Sequence, residues 1–195
     1  VGLRGVLHAA GAGDKGLVLQ MQRWRVELVS ASKSYGAWRL HVASCAIPLD
    51  TMVQWSSVAA AYGNMGQGSY ASANAYLDSL ALCRRMQGSA SCSMQWPLVG
   101  GAGMGAAAGF TKEQVRGKGM AAISLEQYAE CLVVALALCS GRAHVPLPSD
   151  VAALLSNMPD ASQPLFAELG AGPGSAPERS APLAPTCELS RMGAS

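Results

Sequence analysis

The sequence has little charge, few aromatic residues and no cysteine pattern that marks a metal site. Charged residues form 13% of the chain and the formal net charge is +2, whereas about a quarter of an ordinary globular chain is charged. A balance this close to neutral gives no basis for expecting nucleic acid or an anionic membrane surface as a partner. Because half of the residues are hydrophobic, the composition favours one domain with a sizeable buried core.

Long apolar runs and a signal peptide are also missing. The longest uninterrupted apolar run, residues 131–139, is far shorter than the roughly 20 residues that cross a bilayer, and no charged-then-apolar leader opens the chain. We therefore expect a cytoplasmic protein. The six cysteines include no CxxC pair, so no metal site is predicted, and we expect them to be reduced and mostly buried. Val1 falls within a predicted strand, and we expect the chain to be part of a longer protein.

Strand-like and helix-like stretches alternate along the sequence. Short apolar runs predict strands, which fall at residues 3–10, 51–55, 91–96 and 143–147. Apolar residues at helical spacing predict helices, which cover residues 16–44, 70–86, 125–139 and 151–155. Asp150 is placed to cap the last of these helices. This order predicts a parallel α/β fold with right-handed crossovers.

Composition divides the chain into two parts. Residues 1–169 form the predicted domain, whereas residues 170–195 are dominated by Gly, Ala, Pro and Ser, which predicts a flexible linker or tail. Within the domain, residues 100–109 are rich in Gly and Ala without periodicity, and we expect a mobile loop there. Thr111 and Ser124 each precede a glutamine by three residues, a capping-box pattern that predicts the start of a helix.

Residues 52–80 organise the predicted active site. An apolar strand stops at Ser56 and Ser57, a loop punctuated by glycines follows, and Tyr70 then opens an Ala-rich helix. Asn74 lies four residues after Tyr70, so both side chains face the same way. Open α/β sheets bind their ligands in a crevice at the carboxyl ends of the strands. We therefore expect the serine and the tyrosine to converge on one crevice.

These side chains suit the reduction of a carbonyl group. Hydride addition places negative charge on the carbonyl oxygen, which then needs a proton and a hydrogen-bond donor. Tyr70 can supply the proton and Ser57 the second donor. Because an unperturbed tyrosine has a pKa of about 10, a neighbouring ammonium is needed to lower it. Of the four lysines, Lys33 is the candidate, since it lies on the predicted helix just before the strand that carries Ser57.

Five segments of the sequence carry a family resemblance. They read HAAG at residues 8–11, SKSYGAW at 32–38, WSSVAAAYGNMGQGSY at 55–70, YASANAYLDSLA at 70–81 and MQW at 94–96. Together they closely resemble the ketoreductase domains of modular polyketide synthases, which belong to the short-chain dehydrogenase/reductase superfamily; animal-type fatty acid synthases carry a similar domain. The resemblance runs over residues 1–169. It implies an α/β fold, a Rossmann-like parallel sheet with flanking helices, truncated at the N-terminus.

The resemblance assigns a role to each candidate side chain by position. Tyr70 becomes the general acid, Ser57 the hydroxyl that orients the carbonyl, and Ser56 its structural neighbour. Most of the superfamily has a lysine four residues after the tyrosine and an asparagine on the earlier helix, and the polyketide synthase branch exchanges the two. Asn74 and Lys33 match the exchanged arrangement. The resemblance implies that Lys33 lowers the pKa of the tyrosine and binds the nicotinamide ribose, while Asn74 supports the hydrogen-bond network around it.

The resemblance also implies NADPH as the cofactor. Its expected contacts are Ala10, Gly11, Lys33, Tyr70, Pro97 and Leu98. Among these, Gly11 would let the backbone approach the cofactor and the Pro97-Leu98 turn would line the nicotinamide pocket, with residues 100–109 as the substrate lid. The implied substrate is a β-ketoacyl thioester on the phosphopantetheine of an acyl carrier domain. The other implied partners are polyketide synthase domains, with neither nucleic acid nor membrane among them.

Three features depart from the family pattern. The Gly-rich phosphate-binding turn expected after the first strand of a dinucleotide fold is absent, because the start of this chain resembles the fourth strand. The determinant of NADPH over NADH is therefore missing as well. After Gly11 the loop reads Gly13-Asp14-Lys15, where one stereochemical class has Leu-Asp-Asp, and Tyr62 stands where the other class has tryptophan. The configuration of the product is left open.

Two other functions stay open at this point. A non-catalytic structural module of the reductase region would also lack the phosphate-binding turn. A stand-alone short-chain carbonyl reductase would act on a free ketone, although a Pro/Ala-rich linker at residues 170–195 suits a carrier domain downstream. His8, His41 and His144 share no spacing, and we expect all three to be structural or exposed.

Overall fold

The computed structural model describes residues 2–101, 103–107, 109, 111–138, 150–158 and 160–170. The predicted strand at residues 143–147 lies outside these ranges, as does the predicted linker beyond residue 170. Within them, no helix is long and apolar enough to cross a membrane. The same residues contain no group of three His, Cys, Asp or Glu side chains placed to hold a metal ion.

Strands and helices alternate along the described chain. The strands of this part are β1 (Gly5–His8), β2 (Thr51–Ser57) and β3 (Cys92–Trp96). The longer helices are α1 (Arg23–Ser30), α2 (Gly36–Ser44), α4 (Gly68–Met86) and α7 (Leu125–Leu138), with a π-helical turn (Ala31–Tyr35) joining α1 to α2. The shorter helices are α3 (Ala59–Tyr62), α5 (Gly103–Ala107), α6 (Lys112–Arg116), α8 (Val151–Ser156) and α9 (Ala167–Gly170), with 3₁₀ turns at Val18–Gln20 and Pro164–Phe166.

The strands of the described part form one parallel sheet in the order β1-β2-β3. His8 pairs with Gln54, and Ser57 pairs with Trp96. The second strand is longer than the predicted 51–55, because its ladder to β3 continues through both serines. The first strand is shorter than the predicted 3–10, because its pairing with β2 runs only from Gly5 to His8. All strands end at the same edge, as parallel pairing requires.

The first face of the sheet is covered by α4 and by the helices before β2. Helix α4 packs against β2, β3, α1 and the π-helical turn. Leu77 is fully buried and clusters with Ala37 of α2 and with Leu80. Because Leu77 lies in this packed layer, its replacement by alanine is expected to cost about 2–5 kcal/mol of stability.

The second face of the sheet is covered by α7. The core there contains Val53, Cys92, Met94, Trp96 and Ala135, with Trp55, Ile123, Tyr128, Cys131 and Leu132 packed against it. The indole N–H of Trp55 donates to the Tyr128 hydroxyl at 2.7 Å. Both faces of the middle strand β2 are therefore covered, as is usual in parallel sheets, whereas Leu7 of β1 is 52% exposed.

The predicted helix starts are mostly confirmed. Thr111 and Ser124 each form a capping box with the glutamine three residues later, and the Asp150 carboxylate accepts from the Ala153 N–H at 2.9 Å. The helix predicted from residue 16 is wrong at its start. Helix α1 begins only at Arg23, because the backbone is extended on both sides of the Val18–Gln20 turn.

Two further expectations need correction. The loop predicted without periodicity at residues 100–109 contains the short helix α5, in keeping with the helix propensity of Ala and Met. Of the cysteines in the described ranges, Cys45 and Cys83 are exposed, contrary to the expected burial, while Cys92 is buried and Cys131 half-buried. The first two lie near the C-terminal ends of α2 and α4, where apolar sequence neighbours do not ensure burial.

Candidate active site

The carboxyl edge of the sheet gathers the residues that the sequence analysis singles out. Ala10 and Gly11 follow β1, Ser57 ends β2, and Pro97 and Leu98 follow β3. Tyr70 lies in the first turn of α4, which packs on β2. This edge is the usual place of the ligand crevice in an open α/β sheet.

Lys33 reaches this edge from the π-helical turn. A π-helical turn holds one residue more than an α-helical turn and is frequent at functional sites. The lysine side chain is only 2% exposed. Its ammonium donates to the backbone oxygen of Trp55 at 2.7 Å and lies 5.6 Å from the ring centroid of Tyr70, within range for a cation–π contact. The structure therefore brings Lys33 and Tyr70 together across two helices.

Burial changes the protonation of Lys33. Desolvation lowers the pKa of Lys33 to about 8, and the carboxylate of Asp78 partly opposes this. The ammonium is thus still the majority form at neutral pH, but its proton is held less tightly than that of an exposed lysine.

Gly11 makes room for this lysine. A Cβ at Gly11 would lie 3.1 Å from Lys33 Cε and 3.4 Å from Lys33 Nζ, closer than side chains usually pack. The family resemblance assigns Gly11 to the approach of a cofactor. The geometry adds a second role for the glycine, because a side chain at position 11 would press against Lys33.

Asn74 is fully buried one turn after Tyr70. Its amide nitrogen donates to the Tyr70 backbone oxygen at 2.8 Å, and its own backbone oxygen accepts from the Ser56 hydroxyl at 3.2 Å. Its side-chain oxygen Oδ1 has no hydrogen-bond partner in the described part of the chain. Asn74 therefore ties α4 to the end of β2 and keeps one acceptor available.

Ser57, Pro97 and Leu98 flank this group without a direct bond to it. The hydroxyl of Ser57, half-buried, accepts from the Ala59 N–H at 3.2 Å and shapes the turn into α3. Pro97 and Leu98 directly follow Trp96, the strand partner of Ser57. The Leu98 backbone oxygen accepts from Ile123 N–H at 2.9 Å. These contacts fix the rim of the crevice.

His8 is a buried neighbour of Lys33 with a structural role, one of the two alternatives predicted for it. It is 5% exposed and its Nε2 lies 3.3 Å from the backbone oxygen of Lys33. Burial lowers the pKa of His8, the bond to Lys33 O opposes this, and the Lys33 charge lowers it further. A neutral His8 can donate to that oxygen and so hold the π-helical turn. The sequence signal was its place at the end of the first strand, directly before Ala10 and Gly11.

Asp14 fastens the loop after β1 to α4. The Arg25 Nε donates to its Oδ1 at 2.7 Å, and the hydroxyl of Ser69 donates to its Oδ2 at 3.2 Å. Ser69 is the residue before Tyr70, so this bond couples the loop to the turn that carries the phenol. In the sequence, Asp14 stands out only as part of the Gly13-Asp14-Lys15 loop, where one stereochemical class of the family has Leu-Asp-Asp.

The segment predicted as a substrate lid lies against the site. The Cε atom of Met104, in α5, is 3.5 Å from the place that a Gly11 Cβ would take. The same side chain is 44% exposed. The Met104 side chain therefore lies between Gly11 and solvent, as expected of a residue in a segment that covers the site.

Comparison with known proteins decides the family. A family model described as KR domain matches residues 1–101. The chain belongs to the KR (ketoreductase) domain family. The resemblance noted in the sequence is thereby confirmed, and so is the Rossmann-like parallel sheet.

The relatives of this KR chain are polyketide synthases and their ketoreductases. Polyketide synthase GfsA of Streptomyces halstedii is 45% identical over 101 residues, which are 52% of this chain and 1% of that protein. The 6-methylsalicylic acid synthase of Penicillium patulum is 38% identical over 125 residues, which are 64% of this chain and 7% of that protein. A solved structure of A-type ketoreductases from a modular polyketide synthase superposes with a TM-score of 0.72 at 30% identity. The superposition covers 86% of this chain and 36% of the chain in that structure. The KR chain thus spans a small part of the synthases it matches.

The residues at the carboxyl edge fit the nicotinamide end of a dinucleotide cofactor. Lys33 uses one N–H on Trp55 O, which leaves ammonium hydrogens for a ribose hydroxyl. The buried Oδ1 of Asn74 offers an acceptor without a partner among the described residues. At Gly11 the space that a Cβ would take is bordered by the Lys33 and Met104 side chains. These groups would hold the nicotinamide end of the cofactor.

Proposed function

We propose that this KR chain carries the proton-donating residues of an NADPH-dependent β-ketoacyl reductase. The reaction reduces a β-ketoacyl thioester, held on an acyl carrier domain, to the β-hydroxyacyl thioester in polyketide or fatty acid biosynthesis. The observation that carries the proposal is the buried Lys33 ammonium 5.6 Å from the Tyr70 ring centroid. An exposed lysine or an isolated tyrosine would not give this chemistry.

The catalytic step is derived from the chain's own side chains. When bound, the cofactor supplies the hydride. Tyr70 then donates its phenolic proton to the carbonyl oxygen as negative charge develops there. Ser57 donates a second hydrogen bond to that oxygen and orients it. Lys33 stabilises the phenolate that remains, and Asn74 holds the turn that carries Tyr70.

The proposed cofactor contacts lie along the same edge. They are Ala10, Gly11, Lys33, Tyr70, Pro97 and Leu98. The proposal of other synthase domains as partners is supported by the relatives, which are polyketide synthases. NADPH and a carrier-bound thioester are what the family resemblance implies.

A single substitution tests the proposal in a ketoreductase-length protein that contains this chain. Tyr70→Phe removes the phenolic proton and keeps the ring, and its matched control is Tyr76→Phe on the same helix, where the side chain is 37% exposed. The measurement is the loss of NADPH absorbance with a β-ketoacyl thioester. We expect Tyr70→Phe to lose about 100-fold or more of kcat/KM and Tyr76→Phe to keep it. Unchanged activity in Tyr70→Phe would contradict the assignment of Tyr70 as the proton donor.

Further arms of the same assay separate the alternatives. Replacing NADPH by NADH tests the cofactor, and a free thioester or a simple ketone in place of the carrier-bound substrate tests the partner. Equal turnover of a free ketone would favour a stand-alone carbonyl reductase. A well-folded protein that neither binds NADPH nor reduces any of the three would favour a non-catalytic structural module.

A further inference from the structure

A pocket of about 400 Å³ lies at the edge of the sheet opposite to the proposed active site. It is formed by residues 45–49, which lead from α2 into β2, and by residues 88–90, which lead from α4 into β3. Because parallel strands begin at one edge and end at the other, the pocket is separated from Tyr70 and Lys33 by the length of the strands. Arg84 also lines it, and none of the described lining residues is acidic.

Arg84 is a buried cation with few partners. The residue is 3% exposed and lies in the last turn of α4. Its Nη1 donates to His41 Nδ1 at 2.7 Å, and its buried Nε has no hydrogen-bond partner in the described part of the chain. The bond from Nη1 does not use the edge formed by Nε and Nη2. That edge is the planar fork that can bind two oxygens of a carboxylate or a phosphate.

The neighbouring His41 does not neutralise this cation. Burial lowers the pKa of His41, and the charge of Arg84 lowers it further. An Nδ1 atom that accepts a hydrogen bond from a guanidinium carries no proton, so the imidazole is neutral. The partner of Arg84 is therefore a dipole and not a counter-charge.

No carboxylate of the described residues forms an ion pair with Arg84 within 4 Å. Asp50 directly follows the first pocket segment, but its carboxylate pairs with Arg4. Asp78 is on the same helix as Arg84, but its carboxylate accepts from two side chains of β3. Because a buried charge without a counter-charge is costly, an anion bound to Arg84 would stabilise this part of the fold.

The pocket holds the charge of Arg84 between the ends of α2 and α4. The Ser89 N–H donates to Arg84 O at 2.9 Å and the Ile47 N–H to Ser44 O at 3.1 Å, so carbonyl groups at both helix ends are already bonded. Gly88, with a φ of 78°, makes the turn that the first of these bonds requires. These bonds weaken the partial negative charge of a helix C-terminus, which leaves the guanidinium as the group that attracts an anion.

We propose that this pocket is a binding site for a small oxyanion, a phosphate or a carboxylate, held by the Nε–Nη2 edge of Arg84 between the ends of α2 and α4. The inference does not rest on the proposed function, because the pocket shares no residue with the proposed active site. A carboxylate from another part of a longer protein is the competing occupant. The experiments below separate it from a free anion.

The first experiment observes the guanidinium directly. In the ketoreductase-length protein, 15N NMR follows the Nε–H signal of Arg84, assigned by its loss in Arg84→Lys, while inorganic phosphate replaces chloride at constant ionic strength. We expect a shift that saturates, with acetate in a parallel titration as the carboxylate probe. The Arg85 signal is the control, because Arg85 bonds Ser91 O outside the pocket. No saturating shift with either anion would overturn the proposal, as it would if a carboxylate of the same protein filled the pocket.

The second experiment locates the bound anion. Cys45 lines the pocket, whereas Cys83 is also exposed but is not among the lining residues. Alkylation by iodoacetamide, resolved by mass spectrometry, gives the rate at each thiol. At a phosphate concentration about ten times the dissociation constant, Cys45 should react up to about tenfold more slowly, because few molecules have an empty pocket. An unchanged Cys45 rate, or equal slowing at both thiols, would contradict binding in this pocket.

A third experiment supplies the anion within the chain and leaves Arg84 in place. Ser89→Asp adds a carboxylate to the lining, so the phosphate-dependent shift of the Arg84 signal should be lost. Ser79→Asp adds the same charge at an exposed position of α4 and should keep the response. A Ser89→Asp variant that responds to phosphate like the wild type would contradict the site. None of these measurements involves reduction, so their failure is distinct from a failure of the proposed function.

Discussion

The Lys33 side chain lies against the space that a side chain at Gly11 would fill, just after the end of β1. A methyl group on Gly11 would lie 3.1 Å from Lys33 Cε, so an alanine there would push against the side chain that reaches Trp55 O and the Tyr70 ring. Gly11 and Lys33 are 22 residues apart in sequence, on either side of the loop and helix that lead to the π-helical turn. The glycine is thus part of the lysine site.

Gly11→Ala should therefore impair the lysine rather than the fold. We expect kcat/KM to fall by about tenfold or more, since forced overpacking costs about 1–3 kcal/mol. Gly13→Ala is the control, because a Cβ there would meet nothing within 4 Å. Steady-state kinetics of both variants make the comparison. Equal activities would mean that Lys33 does not depend on the space at Gly11.

The lowered pKa of Lys33 predicts a rise of stability at alkaline pH. Between pH about 8 and 10.5 the folded chain binds fewer protons at this group than the unfolded chain does, so the free energy of unfolding increases with pH in that window. The full effect is on the order of 3 kcal/mol. Urea unfolding of the wild type and of Lys33→Met checks this. The free energy of unfolding of the wild type minus that of Lys33→Met should rise with pH. The same difference taken with exposed Lys112→Met should not rise.

The lowered pKa of His8 predicts a loss of stability in acid. Because the folded state disfavours the charged imidazole, the unfolded state binds more protons as the pH falls below 6.5, and the free energy of unfolding decreases there. His8→Gln keeps an N–H that can reach Lys33 O and cannot be protonated. Urea unfolding at pH about 7.5 and about 5 should show a smaller acid loss in His8→Gln than in the wild type. An identical loss would exclude His8 as its source.

A hydrogen bond of the Ser56 hydroxyl links β2 to α4. It donates to Asn74 O in a buried place at 3.2 Å, so Ser56→Ala should lower the free energy of unfolding by about 1 kcal/mol. Ser79→Ala, which removes an exposed bond within α4, should cost less. Chemical unfolding of the two variants measures this, and a Ser79→Ala variant as unstable as Ser56→Ala would argue against a special role for the bond.

The spacing of residues in the sequence was sufficient to predict those parts of the site that lie on a single helix or at the end of a single strand. The order of elements, the face shared by Tyr70 and Asn74, and the place of Ser57 at the end of β2 all follow from periodicity and from parallel topology. The pairing of Lys33 with Tyr70 needed the family resemblance, because nothing in a single sequence fixes how two helices pack.

The parts that could not be predicted depend on tertiary packing. His8 reads as an ordinary strand residue until its ring is seen against Lys33 O. Asp78 reads as a solvated helix acid until Ser93 and Gln95 close on it. The π-helical turn around Lys33 has no propensity signal either, since helix propensities do not distinguish its extra residue from an α-helical one.

The central claim is that Lys33 serves the reduction through Tyr70, and a double-mutant cycle tests it most directly. Rates of β-ketoacyl thioester reduction are measured for the wild type, Tyr70→Phe, Lys33→Met and the variant with both changes. Without the phenol the lysine has no proton donor to support, so the double variant should be no slower than the slower single one. Losses that multiply in the double variant, or a Tyr70→Phe variant as fast as the wild type, would contradict the account.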